Sequence, residues 1–164
     1  MERVYIQKIF SLCKLLDAKY NTDMNLMKYI ESTFDKQKRG MFDTIYIMVD
    51  IHNTILVPSF EKEETFKYFN FAKETLKLLS EMKNVKLIMW SSLKDDKTDM
   101  YLTHFRENGI IFDYVNCNPE LKQLPYASFT NKFYYDIGID DKFGFEAEED
   151  WYPFFKFLND INHD

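Results

Sequence analysis

Thr44-Ile-Tyr-Ile-Met-Val-Asp50-Ile-His52-Asn-Thr54-Ile-Leu56 is the stretch whose reading decides the fold. A run of β-branched and large apolar residues leads, with no polar face, straight into an aspartate. That is the pattern of a strand buried on both sides of a parallel sheet. A carboxylate ending such a strand, here Asp50, stands at the carboxyl edge of the sheet, where open α/β folds bind ligands. For Asp50 alone, a strand running into a polar turn would account for the pattern. Three features further along the chain shift the balance.

Working outward, the next strands follow the same logic. Residues 65–82 carry Phe66, Phe69, Phe71, Ala72, Leu76, Leu78, Leu79 and Met82 at helical spacing, so a helix is expected there. Val85-Lys-Leu-Ile-Met-Trp90 reads as a second strand ending at Ser91-Ser92. Asp95 to Asn108 reads as a helix with acidic residues at its N-terminus and Gly109 as the residue past its end. Ile110 to Val115 is the third expected strand, 116–131 a loop with Pro119 and Pro125, and Phe133 to Ile139 the fourth strand, ending at Asp140-Asp141. A closing helix is expected over 147–160, around Trp151, Phe154, Phe155 and Leu158. Strands alternating with helices imply βαβ crossovers and a three-layer, Rossmann-like α/β fold with a parallel sheet.

Ahead of this unit, residues 4–18 place Ile6, Ile9, Phe10, Cys13 and Leu16 on one helical stripe, and Met24 to Phe34 reads as a second helix. Residues 1–40 therefore form an N-terminal helical extension, a hairpin preceding an α/β core over 41–164. It would pack on that core, serve oligomerisation or hang over the site.

Composition narrows the function. At 164 residues with 46% hydrophobic and 29% charged, the chain has room for one core and is not a disordered tail. A net charge of −6 argues against an extended nucleic-acid surface. Cys13 and Cys117 lack any CxxC spacing and read as free thiols acting as small core residues. No apolar run approaches the roughly 18 residues of a membrane span, and the N-terminus lacks a signal-peptide pattern, so a cytoplasmic location is expected. Trp90 and Trp151 read as core, and His104 and His163 as surface residues.

In a parallel sheet the three strand ends meet at one edge. Asp50 with His52, Ser91-Ser92, and Asp140-Asp141 would converge there, with Lys132 close to the last strand. Paired carboxylates of this kind suit Mg²⁺, which binds one or two carboxylates together with substrate phosphate. A carboxylate beside a divalent cation and an ammonium stays ionised and can attack phosphorus, while a hydroxyl and the ammonium hold the phosphoryl oxygens.

The order Asp-x-x-x-Thr, strand-end Ser, Lys, then Asp-Asp resembles the haloacid dehalogenase (HAD) superfamily of Asp-nucleophile phosphohydrolases, over about residues 44–160. The resemblance implies Asp50 as nucleophile and His52 as general acid/base. It implies Ser91, with Ser92 and Asn53 as neighbouring candidates, and Lys132 as phosphate-binding residues. Asp50, Asp140, Asp141 and the backbone carbonyl of His52 would be the Mg²⁺ ligands. Lys142 is a second candidate cation, and Lys132 is preferred on its spacing. The chain departs from the family pattern at His52, where members usually carry a second Asp. Imidazole titrates near neutrality and can protonate a leaving alkoxide or activate water. The intervals Leu56–Glu64 and Asn116–Asn131 are too short for the family's large caps. An open site is therefore expected, suited to a phosphorylated substrate that is a macromolecular end or a small phosphoester, covered in the latter case by the N-terminal hairpin or a second subunit of a homodimer. The competing expectations are a catalytically degenerate HAD-fold binding or scaffolding module, and a phosphotransferase.

Overall fold

The computed structural model describes residues 26–59 and 65–162. The expected helix over residues 4–18, Cys13 and His163 lie outside the described residues. Four parallel strands form the sheet in the order β3-β2-β1-β6. They are β1 (Ile45–Asp50), β2 (Val85–Trp90), β3 (Tyr114–Val115) and β6 (Ile137–Ile139), and β4 (Gln123–Leu124) and β5 (Ala127–Ser128) form a separate antiparallel ribbon. The helices are α1 over residues 26–38, α2 (Ala72–Glu81), α3 (Asp95–Glu107) and α4 (Ala147–Asn162). The α/β architecture read from β1 is the one observed. None of the helices among the described residues is long and apolar enough to cross a membrane.

Side chains alternate across a strand, and here the two faces are covered differently. Ile45, Ile47 and Val49 of β1, Val85, Leu87 and Met89 of β2, and Ile137 and Ile139 of β6 join the main core with the buried residues of all four helices. α1 belongs to this layer, with Ile30 and Phe34 buried and the Phe34 ring edge-on to Phe157 of α4 at 5.5 Å. The described part of the N-terminal extension thus packs on the α/β unit.

Tyr46, Met48, Ile88 and Trp90 face the other way. Among the described residues their cover is the segment 116–136, which includes the β4–β5 ribbon, and a 3₁₀ turn, Asp141–Phe143. Tyr46 and Tyr114 both donate their hydroxyls to Glu120, and the Tyr134 ring meets Tyr46 edge-on at 6.1 Å. Asp136 accepts from the Tyr46 backbone N–H and the Tyr134 hydroxyl, a structural hydrogen-bonder at the amino edge of the sheet.

Three elements are shorter than their sequence patterns. The helix expected over 65–82 begins only at Ala72, because residues 65–70 run extended and pair with the segment after β1. Val57 N–H donates to Lys67 O, Phe69 N–H donates to Ile55 O, and Phe71 then turns the chain at φ 65°. Phe66 and Tyr68 pack across onto α3 instead of down a helix face. β3 is reduced to Tyr114–Val115, since Ile110 and Phe112 pack on the α3 side rather than pairing, with Phe112 5.3 Å from Phe105. β6 is reduced to Ile137–Ile139, because Phe133 and Tyr134 lie on the sheet face and not in it. Three burial expectations also change: Cys117 is free and exposed, Trp90 is 40% exposed because it closes β2 at the open edge, and His104, read as a surface residue, is half-buried among Phe66, Tyr68 and Phe105.

Candidate functional site

The sheet register brings the strand ends together. Asp50 pairs with Trp90 across β1 and β2, and Val49 pairs with Ile139 across β1 and β6, which carries Asp140 alongside Asp50. A carboxylate oxygen from each of Asp50, Asp140 and Asp141 lies within 4.8 Å of the other two. Asp140 is buried, while Asp50 and Asp141 keep access to solvent.

The turn after β1 is built by its own backbone. Ile55 and Leu56 N–H both donate to Ile51 O, and Asn53 N–H donates to Leu56 O with Asn53 in the left-handed region at φ 60°. Asparagine tolerates that conformation because its short polar side chain bonds locally. These bonds use the Ile51 and Leu56 carbonyls and leave out that of His52. Thr54 then joins two strand ends: its hydroxyl lies 3.5 Å from Asp50 Oδ2 as donor and accepts from the Asp141 N–H at 3.2 Å. Its carbonyl accepts from the buried Trp151 indole of α4 at 2.7 Å. After β6, Asp140 Oδ1 accepts from Lys142 N–H at 2.8 Å and caps the 3₁₀ turn, which ends at Gly144 with φ 91°.

Crowding three carboxylates has an electrostatic consequence. Burial first, then the neighbouring Asp140 and Asp141, push the Asp50 carboxyl up to about 6, against the pull of the Ile51 N–H and the Lys142 ammonium. A cation bound among the three would relieve this repulsion and return Asp50 to its ionised form. The three carboxylates could together hold a metal ion, and an all-oxygen donor set is the kind that hard divalent cations take.

Ser91 stands at the end of β2, clamped by Asn116: Ser91 N–H donates to Asn116 Oδ1 at 2.8 Å and Asn116 Nδ2 donates to Ser91 O at 2.6 Å. Asn116 holds φ 53° just past β3. The Ser91 hydroxyl accepts from Leu93 N–H at 3.1 Å, which leaves its own proton to give. Ser92 and Asn53 are exposed on the same loops.

His52 is part-buried and shares a 3.0 Å hydrogen bond between Nε2 and the Tyr101 hydroxyl, its ring edge-on to that of Tyr101 at 5.4 Å. Among the described residues the ring is hydrogen-bonded through Nε2 alone.

Lys132 is exposed and precedes Phe133, whose ring lies 5.6 Å from Trp90. Its segment therefore passes the carboxyl edge, yet no hydrogen bond or ion pair ties it to the carboxylates among the described residues. The ammonium whose field reaches Asp50 is Lys142. Sequence spacing favoured Lys132, and the turn geometry after Asp140 brings Lys142 in as well. The clamp by Asn116 escaped the sequence reading, and Trp151, read as core and buried, carries in addition the hydrogen bond to Thr54. The signal for Asn116 was an asparagine immediately after a β-run, the residue type most tolerant of positive φ.

Fold and site together define an α/β protein with an acidic cluster at the carboxyl edge of a parallel sheet. Neither protein-family models nor curated proteins give a match. Among solved structures, the chain is similar to a conserved protein coded by a locus from Bacteroides thetaiotaomicron. The TM-score is 0.55 at 28% identity, over 72% of this chain and 92% of that one.

Proposed function

We propose that the chain is a Mg²⁺-dependent phosphohydrolase of the HAD type that works on phosphomonoesters through an aspartyl-phosphate at Asp50. The observation that carries this reading is the convergence of the Asp50, Asp140 and Asp141 carboxylates at the sheet edge. A cation held by Asp50, Asp140 and Asp141 would supply charge neutralisation for these carboxylates and for the phosphoryl oxygens.

An Asp50 oxygen attacks phosphorus as the bond to the leaving oxygen breaks. His52, as imidazolium, gives that oxygen a proton through Nδ1 while Tyr101 fixes the ring. The neutral His52 then takes a proton from water as the water cleaves the acyl phosphate, returning free Asp50 and inorganic phosphate. The Ser91 hydroxyl and the Lys142 or Lys132 ammonium hold the non-bridging oxygens. Thr54 keeps Asp50 and the Asp141 loop in register throughout.

The test is to trap the intermediate. Protein quenched in acid during turnover should carry a phosphoryl group that hydroxylamine releases, on the peptide containing Asp50 and absent from Asp50→Asn. Phosphate label on a serine or histidine instead would sink the mechanism.

A second reading, a phosphate-binding module that does not turn over, is favoured by the engagement of His52 with Tyr101. It predicts Mg²⁺ and phosphate binding with no trapped acyl phosphate. A phosphotransferase would give the acyl phosphate and pass it to an acceptor other than water.

A further inference from the structure

The Asp50 side chain projects to the same sheet face as Met48, and Trp90, its register partner, projects beside it from β2. On this face aromatic side chains lie in a band that starts at Trp90 on the carboxyl edge and leads across to Gly138 in the middle of β6. Trp90 lies 5.6 Å from Phe133, and Phe133 lies 5.9 Å from Tyr135. Tyr135 and Phe143 both reach over Gly138, where a Cβ would come within 3.1 Å of Tyr135 and 3.4 Å of Phe143. Gly138 therefore keeps the band close to the backbone.

The ends of the band are not covered: Trp90 is 40% exposed and Phe143 61%. Each ring also adjoins a candidate phosphate contact in the chain, Trp90 before Ser91, Phe133 after Lys132 and Phe143 after Lys142. Asp50 thus has the Asp140 and Asp141 carboxylates on its β6 side and the Trp90–Phe133 pair on its β2 side.

We propose that Trp90 and Phe133 form the leaving-group subsite of this centre and take the planar base of a nucleoside monophosphate. This rests on the phosphohydrolase reading for its phosphate end. A base has a π-face for the indole, and stacking of this kind is sequence-tolerant and strong. Trp90 and Asp50 root on neighbouring strands, about 4.8 Å apart, a separation that a sugar can bridge between base and phosphorus. A directly attached aryl group would hold its ring against the phosphoryl oxygen instead. The net charge of −6 disfavours the further phosphates of a nucleic-acid strand, so the ligand is the mononucleotide.

The test uses full-length Asp50→Asn protein with Mg²⁺, titrated with adenosine 5′-monophosphate and separately with ribose 5-phosphate, reading tryptophan fluorescence. The nucleotide should quench and the sugar phosphate should not. Trp90→Leu in the same background should abolish the response, Trp151 being buried. Phe133→Leu, on the coil outside the sheet, should weaken nucleotide binding by roughly tenfold, and it decides the matter if Trp90→Leu does not fold. Equal responses to the two ligands, a nucleotide response that survives loss of Trp90, or tighter binding of a 5′-phosphorylated oligonucleotide would overturn the subsite. Hydrolysis of both ligands at equal kcat/KM by wild type, with no quenching, would overturn the subsite and leave the phosphohydrolase reading standing. Base-dependent quenching with no hydrolysis of either ligand would do the reverse.

Discussion

The indole Nε1 of Trp151 donates to the carbonyl of Thr54 at 2.7 Å, inside the core. One hydrogen bond thus ties the closing helix to the turn that carries Asp50, and the Thr54 hydroxyl continues the connection to Asp141. Replacing Trp151 by Phe keeps most of the apolar volume and leaves the Thr54 carbonyl buried without its donor. That should cost about 1–3 kcal/mol, a fall in Tm of roughly 3–10 °C for a chain of this size. Because the same turn places Asp50 and Asp141, Mg²⁺ affinity should fall with it. Thermal unfolding with and without Mg²⁺ checks both, and an unchanged Tm would show that the bond is dispensable.

Asp50 gives the metal-free protein a pH dependence of defined sign. Its carboxyl is pushed up to about 6 in the folded chain from an ordinary 3.8. A raised carboxyl means the folded state holds the proton more tightly. Asp50 therefore detracts from stability progressively as pH rises from about 4 to about 6, by roughly 1–3 kcal/mol in total after allowance for solvent access. The measurement is the Tm difference between wild type and Asp50→Asn without metal across that window. The wild type should lose ground as pH rises, and Mg²⁺ should restore it most above pH 6. A difference flat in pH would show that the three carboxylates do not strain one another.

Loss of Lys142 should be felt more than loss of Lys132. The Lys142 field already lowers Asp50, so Lys142→Gln removes both a phosphate partner and a charge that helps keep the nucleophile ionised. Binding of phosphate in the presence of Mg²⁺ should weaken by about tenfold or more, the size of a lost charge-assisted hydrogen bond. Calorimetric titration of both Lys→Gln variants ranks them. A larger loss in Lys132→Gln would restore the ranking that sequence spacing suggests.

His52→Asn keeps the backbone carbonyl and removes the acid/base. Turnover should drop by about 10²–10⁴-fold while Mg²⁺ affinity stays near wild type. A comparable loss in both would mean that the imidazole positions the metal turn through Tyr101 instead of moving a proton.

Much of this arrangement was legible in the residues, and the failures share a cause. β1 could be read because a strand covered on both faces is apolar throughout, and β2 because it departs from that pattern only at Lys86. The Asp50, Ser91 and Asp140-Asp141 ends followed from parallel connectivity alone. Aromatic residues misled the reading: Phe66 and Phe69 sit at helical spacing in an extended arm, and Phe133 to Tyr135 look like strand while covering its face. Aromatics bury a large area in any backbone conformation, so their spacing reports burial more than periodicity. The ranking of Lys142, named only as second candidate, and the clamp by Asn116 were hidden for a different reason. Their positions depend on a 3₁₀ turn and a left-handed residue, which hydrophobic patterning does not encode.

The most direct test of the central claim is hydrolysis of a generic aryl phosphate by the purified chain, with and without Mg²⁺, by wild type and Asp50→Asn side by side. The account predicts turnover that requires the metal and vanishes in the variant, whose Tm is unchanged or raised in the metal-free state. Metal-independent turnover, or activity that survives in Asp50→Asn, would contradict it.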